Sequence, residues 1–198
     1  MKAGENILNK EPRKEKVVVS LTSFPARIDK VAPTIKSLMM QSYKPDRIVL
    51  WLADEQFPDK TLPESITQLM DCGLEVEYCE NVNGHKRHYK MLNMQKEDEV
   101  VITFDDDILF PKHCIKRIIK KHQKFPNAVV CDRGQNAVYD KEGRVLLPAF
   151  WSICSPKGIR KPTYKMLISP GGGALFPKNC LHKDFCDLEK IRKYALNT

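Results

Sequence analysis

Val100-Val101-Ile102-Thr103-Phe104-Asp105-Asp106-Asp107-Ile108-Leu109-Phe110-Pro111 decides how the rest of the chain reads. A short run rich in β-branched and aromatic residues predicts a strand buried on both faces, and this one delivers three carboxylates at its end. Because side chains alternate along an extended chain, Asp105 and Asp107 are expected to point to one side and Asp106 to the other. Adjacent acids repel unless a cation joins them. Hard divalent ions such as Mg2+ or Mn2+ take carboxylate oxygens and share such sites with substrate phosphates, so a metal-bound diphosphate is the occupant these residues suggest. A solvated acidic turn would need neither the apolar strand before it nor Ile108, Leu109 and Phe110 after it.

Strand and helix patterns alternate on the amino-terminal side. Val17–Ser23 is a first strand; Phe24-Pro25-Ala26-Arg27 is a turn, and Ile28, Val31, Ile35, Leu38 and Met39 form the apolar stripe of a helix ending near Gln41. Arg47–Leu52 is a second strand, running into Asp54. Thr61 and Glu64 have capping-box spacing ahead of a short helix that stops at Gly73, and Leu74–Cys79 is a third strand. A helix is expected from His85-Lys86-Arg87-His88-Tyr89-Lys90 onward. Another is expected from Pro111, with Ile115, Ile118 and Ile119 facing in and Lys112, Lys116, Lys120 and Lys121 facing out. Beyond it, Ala128–Cys131 reads as a fifth strand and Val138–Leu147, broken at Asp140-Lys141-Glu142-Gly143, as a β-hairpin beside the main sheet. Short apolar pieces at Phe150–Cys154 and Met166–Ile168 and a Gly171-Gly172-Gly173 run complete the pattern.

This alternation predicts an α/β fold with a mainly parallel sheet, right-handed crossovers, flanking helices and a small antiparallel addition. In such sheets the ligand crevice lies beyond the carboxyl ends of the strands. Thr22 to Arg27, Asp54, Lys86 to Lys90 and Asp105 to Asp107 all stand at those ends.

Composition sets limits on the reading. The 198 residues suit one domain, here 17–198, preceded by a flexible polar leader, 1–16, that lacks the apolar core of a signal peptide. Seven cysteines without a repeated spacing argue for a reducing compartment, and Cys180, His182 and Cys186 lack the second half of a zinc ligand set. The expected location is cytoplasmic. A net charge of +8 is compatible with an acidic substrate or an anionic membrane surface; no aromatic interleaving among the basic residues suggests nucleic acid, so none is expected as partner.

Neither a phosphate-binding G-x-x-x-x-G-K-[ST] loop nor the dinucleotide fingerprint G-x-G-x-x-G is present. Phosphates must then be met by a cation on the aspartates and by Arg27, Arg87 or Lys90, while Asp54 could accept N–H groups from a base.

The ordered set Val-Ser-Leu-Thr-Ser-Phe-Pro-Ala-Arg, Lys-Pro-Asp-Arg-Ile-Val-Leu-Trp-Leu, Tyr-Lys-Met-Leu, Phe-Asp-Asp-Asp-Ile-Leu-Phe-Pro and Cys-Asp-Arg-Gly resembles bacterial glycosyltransferases of the GT-A fold, in particular family-two-like enzymes of surface-polysaccharide assembly. The resemblance spans roughly Val17 to Pro177. It implies that Asp105, Asp106 and Asp107 form a D-x-D site, with Asp105 and Asp107 on Mn2+ or Mg2+ and Asp105 and Asp106 on the donor. Thr22 and Arg27 would form the first donor loop, Asp54 the base contact, and Tyr89 and Lys90 the segment near the diphosphate. Gly171, Gly172 and Gly173 resemble a segment where missing side chains let substrate approach the backbone. The implied reaction is transfer of a sugar from a nucleotide-diphosphate donor, UDP-sugar favoured, to a glycan or lipid-linked acceptor, with inversion and with possible peripheral membrane contact through the basic helix.

The family pattern usually places an acidic pair in an apolar context after the Gly run. This chain has only Asp184, Asp187 and Glu189 there, and Asp184 and Asp187 are the candidates for general base. A truncated domain, a variant base and a donor-binding protein without efficient transfer all stay open. A nucleotidyltransferase on a similar sheet would need a glycine-rich loop after the first strand, and Ser20 to Arg27 contains no glycine.

Overall fold

The computed structural model describes residues 5–147, 152–153 and 161–195. Its central strands are the chain's most continuous apolar runs: β1 (Lys16–Thr22), β2 (Arg47–Ala53) and β4 (Glu99–Phe104) are buried along nearly their whole length. Such runs are stable only with both faces covered. By contrast, β3 (Leu74–Cys79) alternates Leu74, Val76 and Tyr78 with Glu75 and Glu77, a pattern suited to an edge. The order observed is β3, β2, β1, β4, then β9 (Gly172–Phe176) and β5 (Val130–Cys131). The first four strands are parallel, and β9 lies antiparallel between β4 and β5.

Alternation along β1 assigns the two faces. Val17, Val19 and Leu21 join the larger core with α1 (Ala32–Met39), α2 (Glu64–Met70) and α4 (Cys114–His122), while Val18 meets Met91 of α3 (Lys86–Met94) on the opposite face. Ser20, on that second face, donates its hydroxyl to the Arg87 carbonyl at 2.7 Å and so ties α3 to β1. A small antiparallel sheet of β6 (Gly134–Asn136), β7 (Ser152–Ile153) and β8 (Met166–Ile168), in the order β7, β6, β8, is the expected minor addition, and α5 (Leu188–Tyr194) follows.

Local expectations are corrected in several places. Thr61 does not cap α2, whose N-cap is Pro63 with no side-chain hydrogen bond, although Gly73 does end that segment with φ +105°. The helix after β1 is split into a 3-10 turn, Ile28–Lys30, and α1, because Pro33 restricts where an α-helical turn can begin. Val138–Leu147 forms only a minimal hairpin with the single bridge Tyr139 to Val145; of Phe150–Cys154, all but Ser152 and Ile153 lies outside the described residues.

Residues 6–15 of the expected flexible leader are tied down. Leu8 is buried in the main core, Asn9 and Arg13 both bond the Asp46 carboxylate, and Glu15 pairs with His122. A polar composition concealed these contacts because each is made by a side chain with a distant partner.

The glycine run is a strand with a bulge. Along β4 the partners jump from Ala174, opposite Thr103, to Gly172, opposite Phe104, leaving Gly173 as the extra residue with φ +101°. A Cβ at Gly173 would stand 2.9 Å from the Phe104 ring and 3.0 Å from Ile118. Gly173→Ala is therefore expected to destabilise the fold by about 1–3 kcal/mol. Urea denaturation measures it; an unchanged midpoint would contradict the tight bulge.

Candidate functional site

A cleft of about 410 Å3 opens beyond the carboxyl ends of the parallel strands. From the end of β1 and the loop after it come Thr22, Ser23, Phe24 and Arg27, and from the turn after β2 comes Gln56. The segment from the end of β3 into α3 adds Asn83, Gly84, Lys86 and Arg87, and the turn after β4 adds Asp105 and Asp106. A larger hollow of about 690 Å3, lined by Phe125, Tyr164, Met166 and Leu181 among others, has no carboxylate among its described lining residues and lies away from the acidic turn.

Because β4 ends at Phe104, the three aspartates leave the extended geometry and the expected alternation fails. Asp105 turns toward α3, where Arg87 Nη1 holds its carboxylate at 2.5 Å, and its backbone N–H donates to the Gly171 carbonyl at 2.8 Å. Asp106 and Asp107 instead share one nitrogen: Arg27 Nη1 lies 3.0 Å from Asp106 and 2.8 Å from Asp107. Asp106 is the buried member and also accepts the Ser23 hydroxyl at 2.6 Å. Hydrogen bonding to Asp106, reinforced by the charges of Asp106 and Asp107, raises the Arg27 pKa above its ordinary value. Guanidinium groups thus supply the cationic balance that the acidic triplet requires.

Thr22, Arg27, Arg87, Asp105 and Asp106 are brought together at the cleft, with Asp107 at its Arg27 edge. Asp54 is not. It begins the exposed 3-10 turn Asp54–Gln56, and Gln56 takes the cleft position. Tyr89 donates its hydroxyl to Glu80, which also pairs with Lys90, so both residues work on the α3 flank outside the cleft lining.

The three glycines make room for this chain's own groups. A Cβ at Gly171 would overlap the Asp105 carboxylate at 1.7 Å, and one at Gly172 would meet Arg133. Asp187 accepts the Lys190 backbone N–H as the N-cap of α5, and Asp184 pairs with the Lys190 ammonium at 2.6 Å; neither lines the cleft. Ser23, Gln56, Asn83 and Lys86 were missed. Ser23 and Lys86 carried a signal, since both belong to strand-end clusters.

Among the described residues no group of three or more His, Cys, Asp or Glu side chains converges as a ready metal cage. Asp105 and Asp107 nevertheless fit a hard divalent ion in kind, because partly exposed carboxylates can serve Mg2+ or Mn2+ when waters and substrate phosphates supply the remaining ligands.

Next to Arg87, His88 is only 6% exposed, and among the described residues neither ring nitrogen finds a hydrogen-bond partner. It packs edge-on against Phe176 of β9 and against Phe185. Burial, with smaller contributions from the charges of Arg87 and His85, pushes its pKa down to about 3. Between the ordinary histidine value near 6.5 and about 3, the unfolded chain binds a proton that the folded chain does not, so this residue lowers stability as pH falls through that window. His88→Phe is expected to reduce the loss of stability between pH 6.5 and 4.5 by at least about 1 kcal/mol, followed by denaturant titration at each pH. Parallel pH profiles for the two proteins would show that His88 is not held neutral.

A model of the family described as Glycosyl transferase family 2 matches residues 23–185. Among solved structures, the chain is similar to 4-diphosphocytidyl-2C-methyl-D-erythritol synthase from Anaerococcus prevotii, with 12% identity, coverage of 87% of this chain and 76% of that one, and a TM-score of 0.50. It is also similar to the mannosyltransferase PcManGT from Pyrobaculum calidifontis, solved in complex with GDP-Man and Mn2+, with 13% identity, coverage of 70% and 39%, and a TM-score of 0.41. The first likeness is one of fold alone. No curated protein matches the chain significantly.

Proposed function

The chain belongs to glycosyl transferase family 2, and from that premise we propose that it transfers a sugar from a nucleotide-diphosphate donor, most simply a UDP-sugar, to a glycan or lipid-linked acceptor of surface-polysaccharide synthesis. The observation that carries the proposal is the meeting of Arg27, Arg87 and the Asp105–Asp107 turn at one strand-end cleft.

In this reading the loop from Thr22 to Arg27 and Gln56 hold the nucleoside. Arg27 and Arg87 orient the phosphates, since planar guanidinium groups match phosphate oxygens in pairs. Asp105 and Asp107 would hold Mn2+ or Mg2+, which when bound offsets charge on the departing nucleoside diphosphate. Inversion would need a base on the acceptor hydroxyl. Asp184 and Asp187 could serve only by giving up Lys190 and the cap of α5.

The protein would act at the cytoplasmic face of a membrane. No helix among the described residues is long and apolar enough to cross one. The exposed Lys112, Lys116, Lys120 and Lys124 on and beside α4 offer an anionic lipid surface a cationic strip, consistent with a lipid-linked acceptor.

Among the described residues, Asp105 and Asp106 are the only carboxylates lining the cleft, and this favours one second reading, a donor-binding protein without efficient transfer. Calorimetric and thermal-shift titrations of UDP-, GDP- and dTDP-sugars, with and without Mn2+, should detect binding that requires both the metal and Asp107, and so is lost in Asp107→Ala. Absence of binding by every donor with Mn2+ present would overturn the donor reading. Binding without release of nucleoside diphosphate, with or without acceptor, would select the second reading.

A further inference from the structure

The acidic turn keeps its shape through contacts in which no arginine takes part. The Thr34 hydroxyl donates to the Asp106 carbonyl at 3.0 Å, the Ser23 hydroxyl to the Asp106 carboxylate at 2.6 Å, and the Asp105 backbone N–H to the Gly171 carbonyl at 2.8 Å. At the end of β4 the Thr103 hydroxyl donates to the Pro170 carbonyl at 2.9 Å. Asp105 cannot shift toward Gly171, because its carboxylate already fills the space where a Cβ on that glycine would stand. A neutral scaffold presents the aspartates, and the guanidinium groups are added to it.

Those groups sit on the two carboxylates that the donor reading gives to a divalent ion, Arg87 on Asp105 and Arg27 on Asp107. Neither arginine is fully served there. Half-buried Arg87 reaches Asp105 with its Nε left without a hydrogen-bond partner among the described residues, which is unfavourable for a donor shielded from water. Arg27 divides one nitrogen between Asp106 and Asp107, and its pair with Asp107 is exposed on both sides, where solvent screens it. Both guanidinium groups can therefore turn away while the turn itself holds.

We propose that Arg27 and Arg87 form a cationic latch over the acidic turn, holding Asp107 and Asp105 in the free protein and releasing them when a divalent cation binds. This inference rests on the donor reading and adds a regulation to its site. A guanidinium and a divalent ion on one carboxylate repel each other, so the arginines oppose an ion that arrives alone. Phosphates of a donor recapture the guanidinium groups in pairs and draw the latch open. Cation and donor are thus coupled positively through Arg27 and Arg87, and the coupling is reciprocal.

The test is a titration of Mn2+ without nucleotide, followed by the electron spin resonance of the free ion, on wild type, Arg27→Gln, Arg87→Gln and Lys86→Gln. An ionic strength of about 0.3 M screens charges that are not in contact. Lys86 lines the cleft and acts on Asp106 only through space, so its variant reports what the loss of any nearby positive charge does. Each arginine variant should bind Mn2+ at least about fivefold more tightly than wild type and than Lys86→Gln, the lower end of ordinary coupling between sites. Adding Asp107→Ala to Arg27→Gln should abolish the gain. Mn2+ should also raise the unfolding temperature of Arg27→Gln more than that of wild type, a comparison that stands if the other variants do not fold. Equal Mn2+ affinity in wild type and the arginine variants, or an equal gain in Lys86→Gln, would overturn the latch and leave the donor reading to the sugar-nucleotide titrations above. Failure of every protein in the series to bind Mn2+ would remove the metal role of Asp105 and Asp107 together with the latch.

Discussion

Three carboxylates can crowd the end of a buried strand only if positive charge reaches them from elsewhere in the sequence, and the architecture of this domain answers that requirement. Arg27 arrives from the loop after β1 and Arg87 from α3, far apart along the chain and adjacent in space because β1 lies beside β4 and α3 packs against β1. Asp106, the most enclosed of the three, is tied to two residues of one loop, Ser23 and Arg27. The electrostatics of the acidic turn therefore lock the ends of two strands and one helix into a common arrangement.

That arrangement makes the cleft responsive to charge. In the free protein both guanidinium groups are paired with aspartates, and a diphosphate entering with a divalent ion would offer each partner a substitute. The burial of Lys86 differs in kind, because its nearest partner is a neutral carbonyl. Family membership is carried by the matched span from residue 23 to 185, whereas the distribution of roles within the cleft comes from these contacts.

Much of the fold was legible because unbroken apolar strands and striped helices leave direct marks on sequence. β1, β2, β3 and β4 fall within a residue or two of their expected limits. What escaped was what depends on tertiary pairing. Gly171–Gly173 looked like open backbone for a substrate, yet their missing side chains accommodate Asp105, Arg133 and Phe104. The period-two rule applied to Asp105, Asp106 and Asp107 failed because it holds only while the strand lasts. Lys86 was hidden for a related reason: a lysine in a basic, polar run reads as solvated until the packing of α3 encloses it.

The position of β9 also bears on how the domain forms. Its pairing with β4 joins Phe104 to Gly172 across a long intervening chain, so this contact must overcome more loop-closure entropy than the βαβ contacts made earlier in the sequence. Until β9 inserts, one edge of β4 is unsatisfied, and the Asp105 backbone lacks the Gly171 carbonyl. On a ribosome, the amino-terminal strands emerge first and can pair before that carbonyl is available. The acidic turn would be ordered only in the final stage, and a chain arrested before β9 would present the bare β4 edge as a template for intermolecular strand pairing.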